Sequence, residues 1–242
     1  MKARSAVRVL AIANLLLLSA AVVAQPVPPG VLPEPPAGKK IVVHMKDLNP
    51  DQQSAVLGAQ ASRLARANRL LAQSTSSRKD EWKGVHAFEA DEDHVGQLTA
   101  LLRKAVPFSE VAGKFTVKLS RLEGPKFSDL ALRGFVPEGL KRNGPWTWMT
   151  RMYSAADGSI VSISEWDFES DGGGILVIPE TKNVEINGSL GELHVAVAPS
   201  GKELWMVDWS TSAKKFHLDL SPSSGMSSPK TRILEIARAL QD

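Results

Sequence analysis

Between Trp146 and Leu220 the chain alternates apolar and polar residues in short runs, and turn residues interrupt it repeatedly. In Lys215-Phe216-His217-Leu218-Asp219-Leu220 the period is two, so Phe216, Leu218 and Leu220 share one face of a strand while Lys215, His217 and Asp219 share the other. That pattern predicts a half-buried antiparallel strand, apolar side inward and polar side toward water. Asp157-Gly158 and Asn187-Gly188 are hairpin signals, and the glycine-rich stretch at 171–174 and Pro199-Ser200-Gly201 supply further reversals. Strands are expected over residues 146–154, 160–168, 175–178, 184–186, 190–198, 204–209 and 214–220, enough for one antiparallel sheet curved around a core. After Ser228 and Pro229, the residues Ile233, Ile236, Ala237 and Leu240 recur at helical spacing, which predicts a helix closing one face or end of that sheet.

The amino terminus changes how the charge is read. Lys2, Arg4 and Arg8 precede an apolar stretch over residues 9–24, and Val22-Val23-Ala24 stands where signal peptidase needs small residues. The stretch is shorter than the roughly 20 apolar residues of a bilayer span. Residues 1–24 therefore read as a signal peptide cleaved near Ala24, which predicts a periplasmic or secreted protein with no transmembrane span in the mature chain. Of 29 Lys plus Arg, three lie in the leader; the remaining 26 equal the 26 Asp plus Glu. A mature chain with no net charge gives no support to nucleic-acid binding, which draws on a basic patch. Cysteine is absent, and this excludes disulfides, thiolate metal sites, a cysteine nucleophile and cysteine lipidation.

Residues 25–38 are a Pro-rich linker, dense enough in proline to favour extended backbone. Ile41, Val42, Val43 and Met45 make a β-prone run. Asn49 caps the following helix, with Pro50 at its first position and Gln52 placed for a capping box, and the helix runs to about Gln73. Arg63, Arg66 and Arg69 follow one side of it, either as a solvated face or as a contact for an acidic partner. A strand is expected over residues 82–90. Asp91 caps a second helix with Val95, Leu98, Leu101 and Leu102 as its buried stripe, and Phe115, Val117 and Leu119 predict a third strand within 111–122. The fold class expected is thus α+β: an N-terminal β-α-β-α-β portion at 39–123, then a curved antiparallel β-meander at 124–242 closed by a C-terminal helix.

Chemistry is sparse in the motifs. Asp167, Glu169 and Asp171 run into Gly172-Gly173-Gly174 like a calcium loop, yet Ile178 stands where an EF-hand needs its bidentate Glu, so they are a weak metal candidate beside the plainer reading of a strand end. His44, His86, His94, His194 and His217 lack the spacing of a sequence metal motif, and no G-x-S-x-G elbow nominates a nucleophile. No cofactor is expected. Trp146 and Trp148 share one strand face, as do Trp205 and Trp209; these four indoles are the ligand-binding candidates, either as core or as a concave apolar surface.

The order of Phe135-Val136-Pro137-Glu138-Gly139-Leu140, a strand with Tyr153, Ser162-Ile163-Ser164, Val184-Glu185-Ile186-Asn187-Gly188, Leu204-Trp205-Met206-Val207-Asp208-Trp209 and a terminal Ile-Ala-Arg-Ala-Leu helix resembles the extracytoplasmic domains attached to bacterial anti-sigma factors. Those domains are similar to the curved-sheet fold of periplasmic lipoprotein carriers and envelope-stress sensors. Covering residues 130–242, the resemblance implies binding or sensing of a protein, lipid or lipoprotein ligand, with no catalytic residues to carry over. This chain differs by lacking a cytoplasmic anti-sigma segment. Residues 40–122 also resemble propeptide or inhibitor modules of subtilisin-like proteases, which include a Lys-Gly-containing strand such as Trp82-Lys83-Gly84-Val85. The reading is an exported, non-enzymatic envelope binding or regulatory protein, with a periplasmic hydrolase and a protease inhibitor as the alternatives.

Overall fold

The computed structural model describes residues 32–74, 76–122, 124–138, 145–170 and 172–241. The expected leader, residues 25–31 of the Pro-rich linker and Asp171 lie outside the described residues. In chain order, β1 (Lys40–Val42) is followed by a 3-10 turn at Met45–Asp47. Helix α1 (Pro50–Gln73) has its capping box: Gln52 N donates to Asn49 Oδ1 at 2.9 Å and Asn49 N to Gln52 Oε1 at 3.0 Å. A short α2 (Ser76–Glu81) leads to β2 (His86–Glu89), which starts only after Gly84 turns the backbone at a φ of 73°. Asp91 caps α3 (Glu92–Lys104) by accepting from His94 N at 2.7 Å.

Where the alternation of Phe115, Val117 and Leu119 predicts one strand, the chain forms α4 (Phe108–Val111), an irregular crossing, and β3 (Arg121–Leu122). The segment finds partners other than a neighbouring strand: Thr116 N donates to Trp146 O at 2.9 Å and Ser120 N to a Glu165 carboxylate oxygen at 2.8 Å. Beyond it come β4 (Leu130–Glu138), β5 (Trp148–Ala155), β6 (Ile160–Asp167), β7 (Ile175–Val177), β8 (Val184–Ile186), β9 (Ser189–Val197), β10 (Glu203–Ser210), β11 (Lys214–Ser221), α5 (Pro229–Ala239) and β12 (Leu240–Gln241). The β8–β9 turn takes positive φ at both Asn187 (48°) and Gly188 (78°), as a two-residue hairpin demands.

The result is an α+β fold around one sheet ordered β2-β9-β10-β11-β6-β5-β4, with β8 paired to β9, and the sheet does not close into a barrel. Its strands are antiparallel except β2, which lies parallel to β9. The N-terminal half therefore adds its strand to the meander's sheet. Its other strands form two small sheets, β1 with β7 and β3 with β12. Among the described residues, no helix is long and apolar enough to cross a membrane.

One face of the sheet presents Val161, Ile163, Val195, Val207, Leu218 and Leu220 to Ile233, Ile236 and Ala237 of α5 and to Leu70 of α1. The other face presents Met152, Ala196, Leu204 and Met206 to Val95 and Leu98 of α3. Layers on both sides correct the expectation of half-buried strands: Asp219, assigned to water by its period, is only 4% exposed. Under the α5 face, the fully buried Glu165 accepts from Arg151 Nη2 at 2.6 Å and from Ser120 Oγ at 2.6 Å, with Lys214 Nζ at 3.5 Å. That cluster holds the 114–120 crossing to the sheet.

Candidate functional site

Helix α3 covers only part of its face of the sheet. Side chains that alternate onto this face form a polar band across the strands: His86 on β2, Glu192 and His194 on β9, Asp208 on β10, His217 and Asp219 on β11, Ser162 and Ser164 on β6, Thr150 on β5 and Glu138 on β4. Register places Asp208 opposite both Glu192 and His217, and Ser162 opposite Asp219.

His217 is the hub of the band. Its Nδ1 lies 3.0 Å from Asp208 Oδ1 and its Nε2 2.7 Å from Asp219 Oδ1. Burial opposes the imidazolium, but the two carboxylates outweigh it and raise the His217 pKa well above the ordinary value. Asp208 shows the reciprocal effect: burial disfavours its charge, and His217 and Lys215 nevertheless hold it below the usual carboxylate range. Ser162 Oγ donates to the second oxygen of Asp219 at 2.7 Å. At the far end of the band, burial pushes Glu138 up to about 7, although Thr150 Oγ1 donates to its Oε1 at 2.8 Å. Its Oε2 is buried with no hydrogen-bond partner.

Where α3 leaves off, a cavity of about 410 Å³ opens over β9, β10 and β11. Trp148 and Trp166 form its aromatic wall, stacked with centroids 5.8 Å apart and planes inclined by 19°. Trp148 Nε1 is buried without a hydrogen-bond partner. Across from it Lys182 Nζ lies 2.8 Å and Arg63 Nη1 3.6 Å from Glu192, and beside Trp166, its register partner, Lys215 lies with Nζ 3.4 Å from Asp208. Arg63, one of the three arginines along α1, thus meets an acidic residue of its own chain.

At the β2 side of the cavity His86, Glu192 and His194 converge, with one ligand atom from each lying within 4.8 Å of the others. His194 Nε2 is 3.1 Å from Glu192 Oε2, and the two imidazole rings lie 5.3 Å apart. Burial, aided by neighbouring His194, lowers His86 to about 4, so its ring is neutral at physiological pH. For Glu192, burial acts against the charge, yet the His194 hydrogen bond and the Lys182 ammonium hold it below the usual range.

Family models, curated proteins and solved structures yield no match to this chain. Its chemistry therefore has to be read from these side chains.

The four nominated indoles divide between the two faces. Trp148 lines the cavity. Trp146 lies just before β5, half-buried, with its backbone N–H donating to Lys114 O at 2.8 Å. Trp205 is 0% exposed beneath α5 and donates Nε1 to Glu203 Oε2 at 2.8 Å; the other oxygen of Glu203 accepts from Trp82 Nε1 at 3.2 Å. Trp209 reaches the cavity's edge, but its ring is stacked on Phe216 at 4.8 Å. Asp167 accepts from Ser170 N at 3.0 Å and from Ser170 Oγ at 2.5 Å, and Glu169 is exposed. Trp166 and the His86, Glu192, His194 group were not singled out by motif. Glu192-Leu193-His194 carries the legible half of that group, since a period of two puts both ligating side chains on one face; the arrival of His86 depends on the β2–β9 pairing.

Proposed function

We propose that this chain is an exported binding protein of the cell envelope, periplasmic once residues 1–24 are removed, and that its ligand occupies the cavity between the Trp148–Trp166 pair and the Arg63–Lys182 wall. The observation that carries the reading is Trp148 itself. Its indole is half of a stacked pair lining the cavity, and its Nε1 is buried without a partner. Because that nitrogen is shielded from solvent, the contact the pair offers a ligand is its ring surface, an aromatic wall of the kind an apolar body packs against. Three permanent cations on the lining, Arg63, Lys182 and Lys215, face two carboxylates, Glu192 and Asp208, and the positive charge of His217 is balanced by Asp219 at 2.7 Å. That excess of positive charge beside an aromatic wall suits a small amphiphile with an anionic head and a ring or acyl body. The cavity's size limits the occupant to one chain or one ring system rather than a whole bilayer lipid.

Hydrolysis is less well supported by the same geometry. A nucleophile must give its proton to a base, whereas Ser162 donates to Asp219 and the ring nitrogens of His217 both face carboxylates. The resemblance to envelope sensors and lipoprotein carriers points in the same direction as the cavity. The test is to purify the mature chain from envelope extract and identify by mass spectrometry what denaturation releases. A small anionic amphiphile released from the native chain, and lost from the Trp148→Ala/Trp166→Ala variant, is the expected outcome. Release of nothing, or equal release from both, would overturn the reading; a stably attached protein in place of a small molecule would redirect it to partner binding.

A further inference from the structure

We propose that His86, Glu192 and His194 form a site for a single divalent transition-metal ion of zinc's class, held by two imidazoles and one carboxylate, with its remaining coordination positions open to the cavity. The three residues come from two adjacent strands. His86 and His194 are direct register partners on β2 and β9, and Glu192 stands two residues from His194 on the same face. Strands hold side chains more tightly than loops do, so the convergence is built into the sheet.

Ligand chemistry agrees with the geometry. Imidazole nitrogen with carboxylate oxygen is a donor set that suits zinc and neighbouring first-row ions, and three protein ligands with an open position is the arrangement of a site that also takes an exogenous ligand. Both rings keep a nitrogen in need of a partner: Nδ1 of His86 and Nδ1 of His194 are buried with no hydrogen bond. Nitrogens buried in this way are costly in an ordinary core. Neutral imidazole is the ligating form, and both rings reach the site from adjacent strands with their centroids 5.3 Å apart.

The carboxylate is prepared as well. Lys182 takes Oε1 of Glu192 at 2.8 Å and leaves Oε2, the oxygen 3.1 Å from His194 Nε2, to act as ligand. Arg63 Nη1, 3.6 Å from that same oxygen, opposes a second cation, and the Glu192 carboxylate with the two imidazole donors is set against it. Metal–ligand bonds of roughly 2.1 Å bring tetrahedral ligands to about 3.4 Å from one another. The present limit of 4.8 Å is wider, and tilting of the two rings toward Glu192 closes the difference. An entry path exists because Glu192 and His194 line the cavity.

Titrating chelator-treated full-length protein with zinc chloride alone, in competition with a chelating dye, tests the site. One ion per chain is expected. His86→Gln and His194→Gln each remove a ligand and should weaken binding by more than the roughly 10–100-fold that loss of an outer-shell partner costs, whereas His44→Gln, an exposed histidine paired with Glu180, should leave it unchanged. Zinc should also shift the ring nitrogen signals of His86 and His194 in the wild-type protein, a readout that holds even if a core variant fails to fold. Absence of saturable binding, binding retained in the folded His86→Gln protein, or unmoved signals from those two rings would overturn the site. Zinc is the only probe, so failure of the cavity to hold an amphiphile would leave each of these outcomes as it stands.

Discussion

Trp148 and Trp166 are register partners on β5 and β6, and their indoles stack 5.8 Å apart on the face of the sheet that α3 only partly covers. An aromatic pair of this kind adds roughly 0.5–1.5 kcal/mol beyond its area when it packs in a core. Here the pair packs against an open cavity, so its surface is available to a ligand.

Replacing Trp166 separates ligand binding from stability. Trp166→Ala removes half of the stack while leaving Trp148 in place. Because Trp166 is half-buried, the expected cost in denaturant unfolding is about 1–2 kcal/mol. Ligand retention should fall more than tenfold, measured on protein taken from envelope extract.

Trp205 should behave in the opposite way. It is fully buried under α5, and Glu203 holds its indole N–H. Trp205→Ala leaves a cavity and an unpaired carboxylate oxygen, which costs about 3–5 kcal/mol. Urea unfolding with an unchanged slope would register this as lost stability, and near-native cost of the substitution would show that the indole is not core.

Glu165 balances Arg151 in the interior and binds Ser120 through two donors. Glu165→Ala leaves the guanidinium of Arg151 buried beside no carboxylate, a change of the kind that costs about 3–5 kcal/mol. Hydrogen exchange should also show the 114–120 crossing losing protection in this variant, since Ser120 N–H is one of its ties to the sheet.

Stability should fall as pH rises, for two separable reasons. Glu138, pushed up to about 7 by burial, with His217 and Asp219 as its charged neighbours, holds its proton more tightly folded than unfolded, where its pKa is about 4.5. Its contribution is therefore fully present below about pH 4.5 and is lost between there and about pH 7. At roughly 1.36 kcal/mol per pH unit, Glu138→Gln should be more stable than the native chain by about 3 kcal/mol at pH 8, and close to it at pH 4. His217 is also raised, because Asp219 and Asp208 overcome the burial that opposes its charge. Its stabilisation is present below about pH 6.5 and disappears only as pH climbs through the higher folded value, so His217→Gln should flatten the alkaline limb. Thermal melts across the pH range would check both.

Local chemistry explains what was legible. The Asn49 box, the Asp91 cap, the Asn187-Gly188 turn and the terminal helix depend on contacts a few residues apart, and they stand where the spacing put them. Residues 111–122 departed from their alternation because Trp146 and Glu165, distant in the chain, supplied partners that no local pattern encodes. For the candidate site, Trp148 was nominated by its strand position, but Trp146, Trp205 and Trp209 could not be separated from it, since two faces of one sheet share the same period.

The amino-acid sequence by itself determined the capped helices, the strands of the meander from Trp148 onward and the division of each strand into an apolar and a polar side, because these follow from spacing, caps and turns; α2, α4 and β4 were not legible in it. Tertiary structure alone decided that a second helical layer would bury the polar side of β11. It also decided that β2 would join β9 and bring His86 to Glu192 and His194. Those outcomes depend on strand order and on which helix covers which face, and contacts between distant segments are settled by packing the whole chain around one core.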